Sequence, residues 1–481
     1  MIFDSRCYLI SMQIHAKQLI NGSWRGAAGL QLDLINPTTE QTHATVRLAS
    51  HEDIDAAVGA AHDARDRWAR TDPHERGRWL AAIGERLAAR AEALTSNFAL
   101  EIGTPLAEAR RLQVDTALRS FASAPTLAAA LEADEMLATS RISRVPVGVA
   151  VCITPWNYPL YQIATKIVPA LVGGATVILK PSEVAPLSAY ELGDCALEAG
   201  LPPGVLNILI GGAAAGQQLI VHPLVEVVSF TGSTATGRLV GAACGAGPKK
   251  VALELGGKSA SILLQDADMP VAIRQTLAKC LQNAGQTCAA PTRLLVPRSN
   301  LNHALQLVQA VAGEYRTGDP FDPATRMGPV INASQHNKVL SMIRDGINQG
   351  ATLVCGGPMR PPNVTKGYFV TPTVLMTSRP DIRIAQEEIF GPVLTVLPYD
   401  SETEAITIAN GTPYGLSGAV WSADVGRARS VAQRLRAGSI SLNGAGTHPD
   451  APFGGFGASG FGRERGLYGL ETYTTTQAIH S

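Results

Sequence analysis

Along residues 51–131 apolar positions recur at intervals of three and four, as in GRWLAAIGERLAARAEAL, the period of an amphipathic helix. Pro73 and the Gly103-Thr104-Pro105 step punctuate this helical block. From 147 the pattern changes to short β-rich runs: VGVAVCIT (147–154), ATVIL (175–179), VLNILI (205–210), VEVVSF (225–230) and KKVALEL (249–255). Ala-rich or amphipathic stretches near 160–172, 187–199, 213–222 and 234–246 separate them. Continuous apolar runs alternating with helices predict a mostly parallel sheet covered on both faces, because a strand buried on both sides has no polar side to show. A second alternating block runs from 259 to about 443, with strands in RLLVP, VLTVL, GAVW and GSISL. The Gly-rich stretch GAGTHPDAPFGGFGASGFGRERG (444–466) reads as a loop long enough to need a role. The closing LETYTTTQAI has strand character, and a terminal strand can extend the sheet of a second subunit.

Length and charge narrow the picture. A chain of 481 residues predicts two or three domains. Lys+Arg and Asp+Glu number 40 each, and a neutral chain without a basic block argues against nucleic acid or an acidic lipid surface as partner. No apolar stretch approaches the roughly 20 residues of a membrane span. Charged residues are 17%, against about 25% in an average soluble protein, which points to extra surface buried between subunits. The seven cysteines are scattered without a CxxC pair, so neither a disulfide framework nor a metal site is expected, and a reducing, cytoplasmic setting is. The opening MIFDSRCYLISMQIH is no secretory signal, since Asp4 and Arg6 interrupt it. Met12 offers an alternative start, with residues 1–11 expected to be disordered or untranslated.

Several positions could carry chemistry. Cys288, in NAGQTCAAPT, lies where a helix over 268–284 gives way to small and polar residues, a setting that can present a thiolate to a cleft. Glu254, in VALELGGKS, ends an apolar strand before two glycines, and ligands of open α/β sheets collect at the carboxyl ends of strands. Asn157, in TPWNYPL, is held between Pro155 and Pro159 and could donate its amide to an oxyanion. FTGSTATGR (230–238) runs from a strand through glycine and hydroxyls into a helix, a geometry for phosphate. LKPSE (179–183) offers Lys180 and Glu183 to a ribose; a carboxylate there favours NAD, because it repels a 2′-phosphate. Each has a plainer reading on its own: Cys288 a small buried hydrophobe, Glu254 a solvated turn, Asn157 a helix cap, the other two ordinary turns.

Taken together, TPWNYP, LKPSE, FTGST, LELGGKS, GQTC, EEIFGP, and PFGG followed by SGFGRERG and YGLETYT resemble the aldehyde dehydrogenase superfamily, in its order and approximate spacing, from about residue 18 to the end. The resemblance implies two doubly wound α/β domains plus a small β bridging element. Their expected limits are 12–126 with 147–257 for NAD binding, 258–458 for catalysis, and 127–146 with 459–481 for bridging and assembly into a homodimer or homotetramer. It implies Cys288 as nucleophile, Glu254 as general base and Asn157 as oxyanion donor. In the implied reaction the thiolate adds to the aldehyde, hydride passes to the nicotinamide, and water activated by Glu254 hydrolyses the thioester to the acid. The presence of Glu254 favours hydrolysis over transfer to coenzyme A. Lys166 and Glu464 match a proton relay, with a structural ion pair as the alternative.

By the same resemblance Lys180, Ser182 and Glu183 hold the adenosine ribose, with Gly216 nearby, and Gly232 and Ser233 the pyrophosphate. Thr154, Pro155, Trp156, Phe230, Thr231, Leu255 and Gly256 line the cofactor cleft, and Glu388 and Phe390 meet the nicotinamide ribose and ring. NAD is the expected cofactor, with NADP left open. The substrate wall comprises Tyr158, Tyr161, Gln162, Thr165, Thr287, Ala289 and Phe453. Thr165 stands where many members carry a bulky aromatic, so a wide entry for aromatic or medium-chain aldehydes is expected. No Arg stands out as a carboxylate clamp, which disfavours a semialdehyde acid, although a distant Arg could fold into the mouth. The competing readings are a Cys-dependent esterase or acyltransferase without redox chemistry, and an inactive binding protein that kept the fold.

Overall fold

The computed structural model describes residues 13–131, 134–362 and 364–481; the expectation for residues 1–11 and the start at Met12 lie outside them. Two large sheets dominate. The first has eight strands in the order Gly460–Phe461, Lys250–Glu254, Val227–Thr231, Val149–Ile153, Thr176–Lys180, Leu206–Ile208, Lys17–Ile20 and Ser23–Gly26. Its five central strands are parallel and the two ends are antiparallel additions. Val149–Ile153, Thr176–Lys180 and Val227–Thr231 are buried at every position, which explains their unbroken apolar runs. The second sheet orders Thr352–Cys355, Thr373–Met376, Val393–Tyr399, Arg293–Pro297, Ala260–Leu263, Ser417–Trp421 and Ser439–Leu442, parallel except for the first. Each sheet has its own apolar core, and the mixed α/β architecture is the fold class that the resemblance implies.

Helix Pro159–Val172 starts with Pro159, whose missing N–H costs nothing in a first turn, and every residue in it except Tyr161 is buried. It packs against helices Asp115–Ala122 and Gly466–Tyr473, which close the cleft from outside. A third sheet pairs Thr474–His480 with Ser140–Pro146, and Glu135–Leu137 completes it.

Two local patterns turn out differently. In LETYTTTQAI the first four residues belong to helix Gly466–Tyr473, and only Thr474–His480 is strand. Leu470 and Tyr473 are buried there at helical spacing, so the burial of one helical face outweighs the β-branched composition that follows. The stretch 13–47 forms five short strands. They are three to six residues long with weak periodicity, though Asn21-Gly22, both at positive φ, is a hairpin signal in the sequence itself. Among the described residues no helix is long and apolar enough to cross a membrane.

Candidate active site

The nucleophile loop is built from the end of helix Met269–Leu281. Asn283 and Ala284 take left-handed conformations (φ 51° and 54°) and Gly285 follows at φ 74°, reversing the chain so that Thr287-Cys288-Ala289 reaches the cleft. Two non-glycine residues in this region are strained and need support from their surroundings. Asn283 receives it from the Glu108 carboxylate, which accepts its N–H at 2.9 Å, and from Thr104 Oγ1, which donates to its side-chain oxygen at 2.8 Å. Its Nδ2 donates to the Asn157 carbonyl at 3.0 Å. Gln286 is fully buried, accepting from Ile331 N and donating to Asn283 O. Burial pushes the Glu108 carboxyl up to about 7. Glu108, Asn283, Gln286 and Gln113 were not singled out from the sequence; NAGQ abutting the cysteine was the available signal.

Asn157 lies beside this loop. Its carbonyl accepts from Gln113 as well as Asn283, and its Nδ2 donates to the Gln286 carbonyl at 2.9 Å, leaving one amide N–H for another acceptor. Tyr158 Oη meets Thr287 Oγ1 at 2.5 Å and accepts from Gln282 at 2.9 Å, tying the two loops together.

The Cys288 thiol is half-buried at the cavity wall, and its pKa is pushed upward, first by burial and then by the charges of Glu254 and Glu388; the Ala289 N–H opposes this. Glu254, the last residue of its strand, is 5% exposed, and both of its carboxylate oxygens are without hydrogen-bond partners. Burial, then the Glu464 charge, holds its pKa well above the carboxylate range, while Lys166, Arg465 and Arg463 pull it down. Lys166 Nζ donates to Glu464 Oε1 at 2.5 Å and to Ser229 Oγ at 2.9 Å, all in the interior. Gly454 (φ 152°) lies so close that an added Cβ would sit 2.8 Å from Glu254 Oε1.

On the other side of the sheet's carboxyl end the polar groups are unsatisfied. The hydroxyls of Thr154 and Thr231, after adjacent parallel strands, are buried without partners. Lys180 Nζ, at the next strand's end, reaches only the Pro181 carbonyl at 3.3 Å and Glu183 at 3.5 Å; burial lowers its pKa and Glu183 opposes. Ser182 is half-buried beside them, and Gly216 leaves ordinary van der Waals space next to the Lys180 stem. The Gly232 N–H is committed to the Glu254 carbonyl at 3.0 Å, so it is not offered to a ligand. Ser233 caps helix Thr234–Ala246 by accepting from Thr236 N. Leu255 fills the space over Gly237, and Phe230 is buried below the same helix. Glu388 accepts from Gly257 N at 3.1 Å and presses on Gly256, where a Cβ would fall 2.4 Å from its carboxylate. Phe390, at φ 60°, meets Trp156 edge-on at 5.5 Å, with Pro155 half-buried before it. Orphaned hydroxyls, a lysine and a glycine cradle along strand ends fit a dinucleotide.

From Cys288 a cavity of about 350 Å³ opens outward. Tyr158, Tyr161, Gln162, Thr165, Thr287, Ala289 and Phe453 all line it. So does one face of the Asp115–Ala122 region, through Thr116, Arg119, Ser120 and Ser123 at helical spacing, a wall not expected from the sequence. Two arginines distant in sequence fold into the mouth, as the sequence left open: Arg119 and Arg465 both line the cavity. Sequence distance hid them, since they come from a helix about forty residues before Asn157 and from the far C-terminal loop.

The model of the aldehyde dehydrogenase family matches residues 24–479. A 3-succinoylsemialdehyde-pyridine dehydrogenase of a Pseudomonas species is 43% identical over 471 residues, 97% of this chain and 99% of that protein. Among solved structures, a mutant aldehyde dehydrogenase C of Pseudomonas syringae with NAD+ and octanal superposes with a TM-score of 0.96 at 41% identity, covering 98% of this chain and 99% of the other. An aldehyde dehydrogenase of Mycobacterium tuberculosis with NAD+ gives 0.95 at 38% identity, with coverage of 98% and 99%.

Proposed function

The chain belongs to the aldehyde dehydrogenase family and is an NAD-dependent oxidoreductase, and we propose that it turns an aldehyde into the free carboxylic acid through Cys288, Glu254 and Asn157. The observation that carries this division of roles is the pairing of the Cys288 thiol with a buried carboxylate, Glu254, whose oxygens bind no protein group.

The Cys288 sulfur adds to the carbonyl carbon as the thiol proton passes to the carbonyl oxygen, giving a thiohemiacetal whose oxygen is met by the free N–H of Asn157. Thr154, Thr231, Lys180, Glu183 and Glu388 would hold NAD, with the N-terminus of helix Thr234–Ala246 toward its phosphates. Bound there, NAD supplies the two-electron acceptor that makes the thioester accessible. Glu254 then takes a proton from water, the hydroxide adds to the thioester carbon, and the C–S bond breaks to return the thiol. Burial, then the Glu464 charge, raises its pKa and so makes it a stronger base once ionised, while Lys166 opposes the shift. The supporting network around Asn283 and Gln286 keeps the sulfur and the amide in register.

The apolar body of the cavity, between Tyr158, Tyr161 and Phe453, supports aromatic or medium-chain aldehydes. Glu183 supports NAD over NADP. The free edge of Thr474–His480, exposed at six of its seven positions, supports a homodimer or homotetramer joined through that strand. The eight-stranded sheet is assigned to cofactor binding and the seven-stranded sheet to the Cys288 domain.

A kinetic panel of aldehydes with NAD and NADP, read at the absorbance of the reduced cofactor, tests the reading. Turnover is expected with NAD, and Glu254→Gln should keep the first burst while losing steady-state turnover. No reduced cofactor with either dinucleotide, together with persistent ester hydrolysis, would establish the esterase instead.

A further inference from the structure

The substrate cavity has a donor set that an unsubstituted aldehyde does not use. Its hydroxyl wall is already committed: Ser120 donates to the Thr116 carbonyl at 3.3 Å, Ser123 to the Ser120 carbonyl at 2.8 Å, Thr165 to the Gln162 carbonyl at 3.1 Å, and Thr116 to the Leu112 carbonyl. Gln282 spends its amide on Tyr158. Of the charged donors two guanidinium groups remain, Arg119 and Arg465, and among the described residues neither forms an ion pair; beside them the Gln162 side-chain oxygen is also without a partner. The carboxylates that share the wall are occupied or peripheral, with Glu464 held by Lys166 and Asp450 exposed beside His448.

Arg465 is placed at some cost. Its backbone sits at φ 73°, ψ 150°, a region that glycine fills almost alone, so the turn is strained. The result is a half-buried guanidinium lying 4.4 Å from the Phe453 ring centre and 5.7 Å from that of Tyr161, with the Tyr161 hydroxyl as a polar contact. Contact with two aromatic rings holds the guanidinium at the cavity wall, where its remaining N–H groups can meet an acceptor. Arg119, exposed and also in the lining, adds a second cation. A planar, pre-oriented fork and a second cation in a mostly apolar channel match a carboxylate.

We infer that the preferred substrate is a medium-length aldehyde whose far end carries a carboxylate, recognised by Arg465 and Arg119. This rests on the dehydrogenase reading above and names its substrate class. Such a compound is a half-oxidised dialdehyde or a deaminated ω-amino acid, so the enzyme's product is a dicarboxylate.

The test compares kcat/KM for hexanal and for 6-oxohexanoate, which differ in the terminal carboxylate, using the wild-type chain, Arg119→Gln, Arg465→Gln and the double variant. The wild type should favour 6-oxohexanoate by at least about tenfold, and each single variant should lower that ratio by about 10- to 100-fold, the range of a hydrogen bond to a charged group. A ratio cancels any general loss of activity. Arg465→Lys, which keeps the charge and loses the fork, should fall between. Hexanal oxidised as well as 6-oxohexanoate, or a ratio that neither substitution moves, overturns the carboxylate subsite and leaves the dehydrogenase reading intact. If neither aldehyde is oxidised the dehydrogenase reading falls, and calorimetric binding of hexanedioate decides the subsite. Binding by the wild type that the double variant loses supports it, and no binding by the wild type overturns it.

Discussion

Lys166 and Glu464 form the most buried ion pair of the site, their side chains 1% and 9% exposed, so solvent screening gives no discount. Replacing Lys166 with Met takes from the Glu464 carboxylate the one side-chain hydrogen-bond partner it has among the described residues, a loss of about 3–5 kcal/mol for a buried pair broken on one side. Glu464→Gln should cost less, because an amide oxygen still accepts from the ammonium and Ser229 remains. The kinetic consequences have opposite signs. Glu464 is the largest charge influence raising the Glu254 pKa and Lys166 the largest one lowering it. Steady-state turnover needs ionised Glu254, so activity falls as pH drops through its pKa in the complex. Glu464→Gln should move that acid limb to lower pH, and Lys166→Met should move it to higher pH. Thermal melting measures the first effect, and kcat against pH at saturating substrate measures the second. Simple structural damage would shift both variants alike. Two limbs displaced in the same direction, or neither displaced, would refute the coupling of the pair to the base.

Three further outcomes are expected. Asn157→Ala should slow the pre-steady-state burst by about 100- to 1000-fold, the worth of one oxyanion donor, and stopped-flow absorbance would expose an unchanged burst. Gly256→Ala forces a Cβ to within 2.4 Å of the Glu388 carboxylate, so Glu388 must leave Gly257 N; the KM for NAD should rise roughly tenfold while melting changes little, because a side-chain end yields easily. Glu183→Ser removes the carboxylate beside Lys180 and should raise the NADP/NAD ratio of kcat/KM by about tenfold or more; an unaltered ratio would show that Glu183 does not select the cofactor.

Much was legible in the sequence because it was written locally. Unbroken apolar runs marked Val149–Ile153, Thr176–Lys180 and Val227–Thr231, since a strand covered on both faces must be apolar throughout. Glu254 before Gly256-Gly257, and Asn157 between two prolines, sit at strand ends where the order of the motifs carried the family resemblance. Elements with weak local signals were missed: the short strands of 13–47, and helix Gly466–Tyr473 next to a β-branched run.

Tertiary structure alone decided three things. It committed the Gly232 N–H to Glu254 rather than to a ligand, because a strand's partner cannot be read from the strand. It set the charge environment of Glu254, where Lys166, Arg465 and Glu464 converge from two segments about three hundred residues apart. And it brought Arg119 and Arg465 into one cavity. Alternation of apolar and polar positions records what each element buries along its own axis, and so determines the elements and the class of fold. Which side chains then meet depends on how helices Asp115–Ala122, Pro159–Val172 and Gly466–Tyr473 pack, and that packing has no period in the chain.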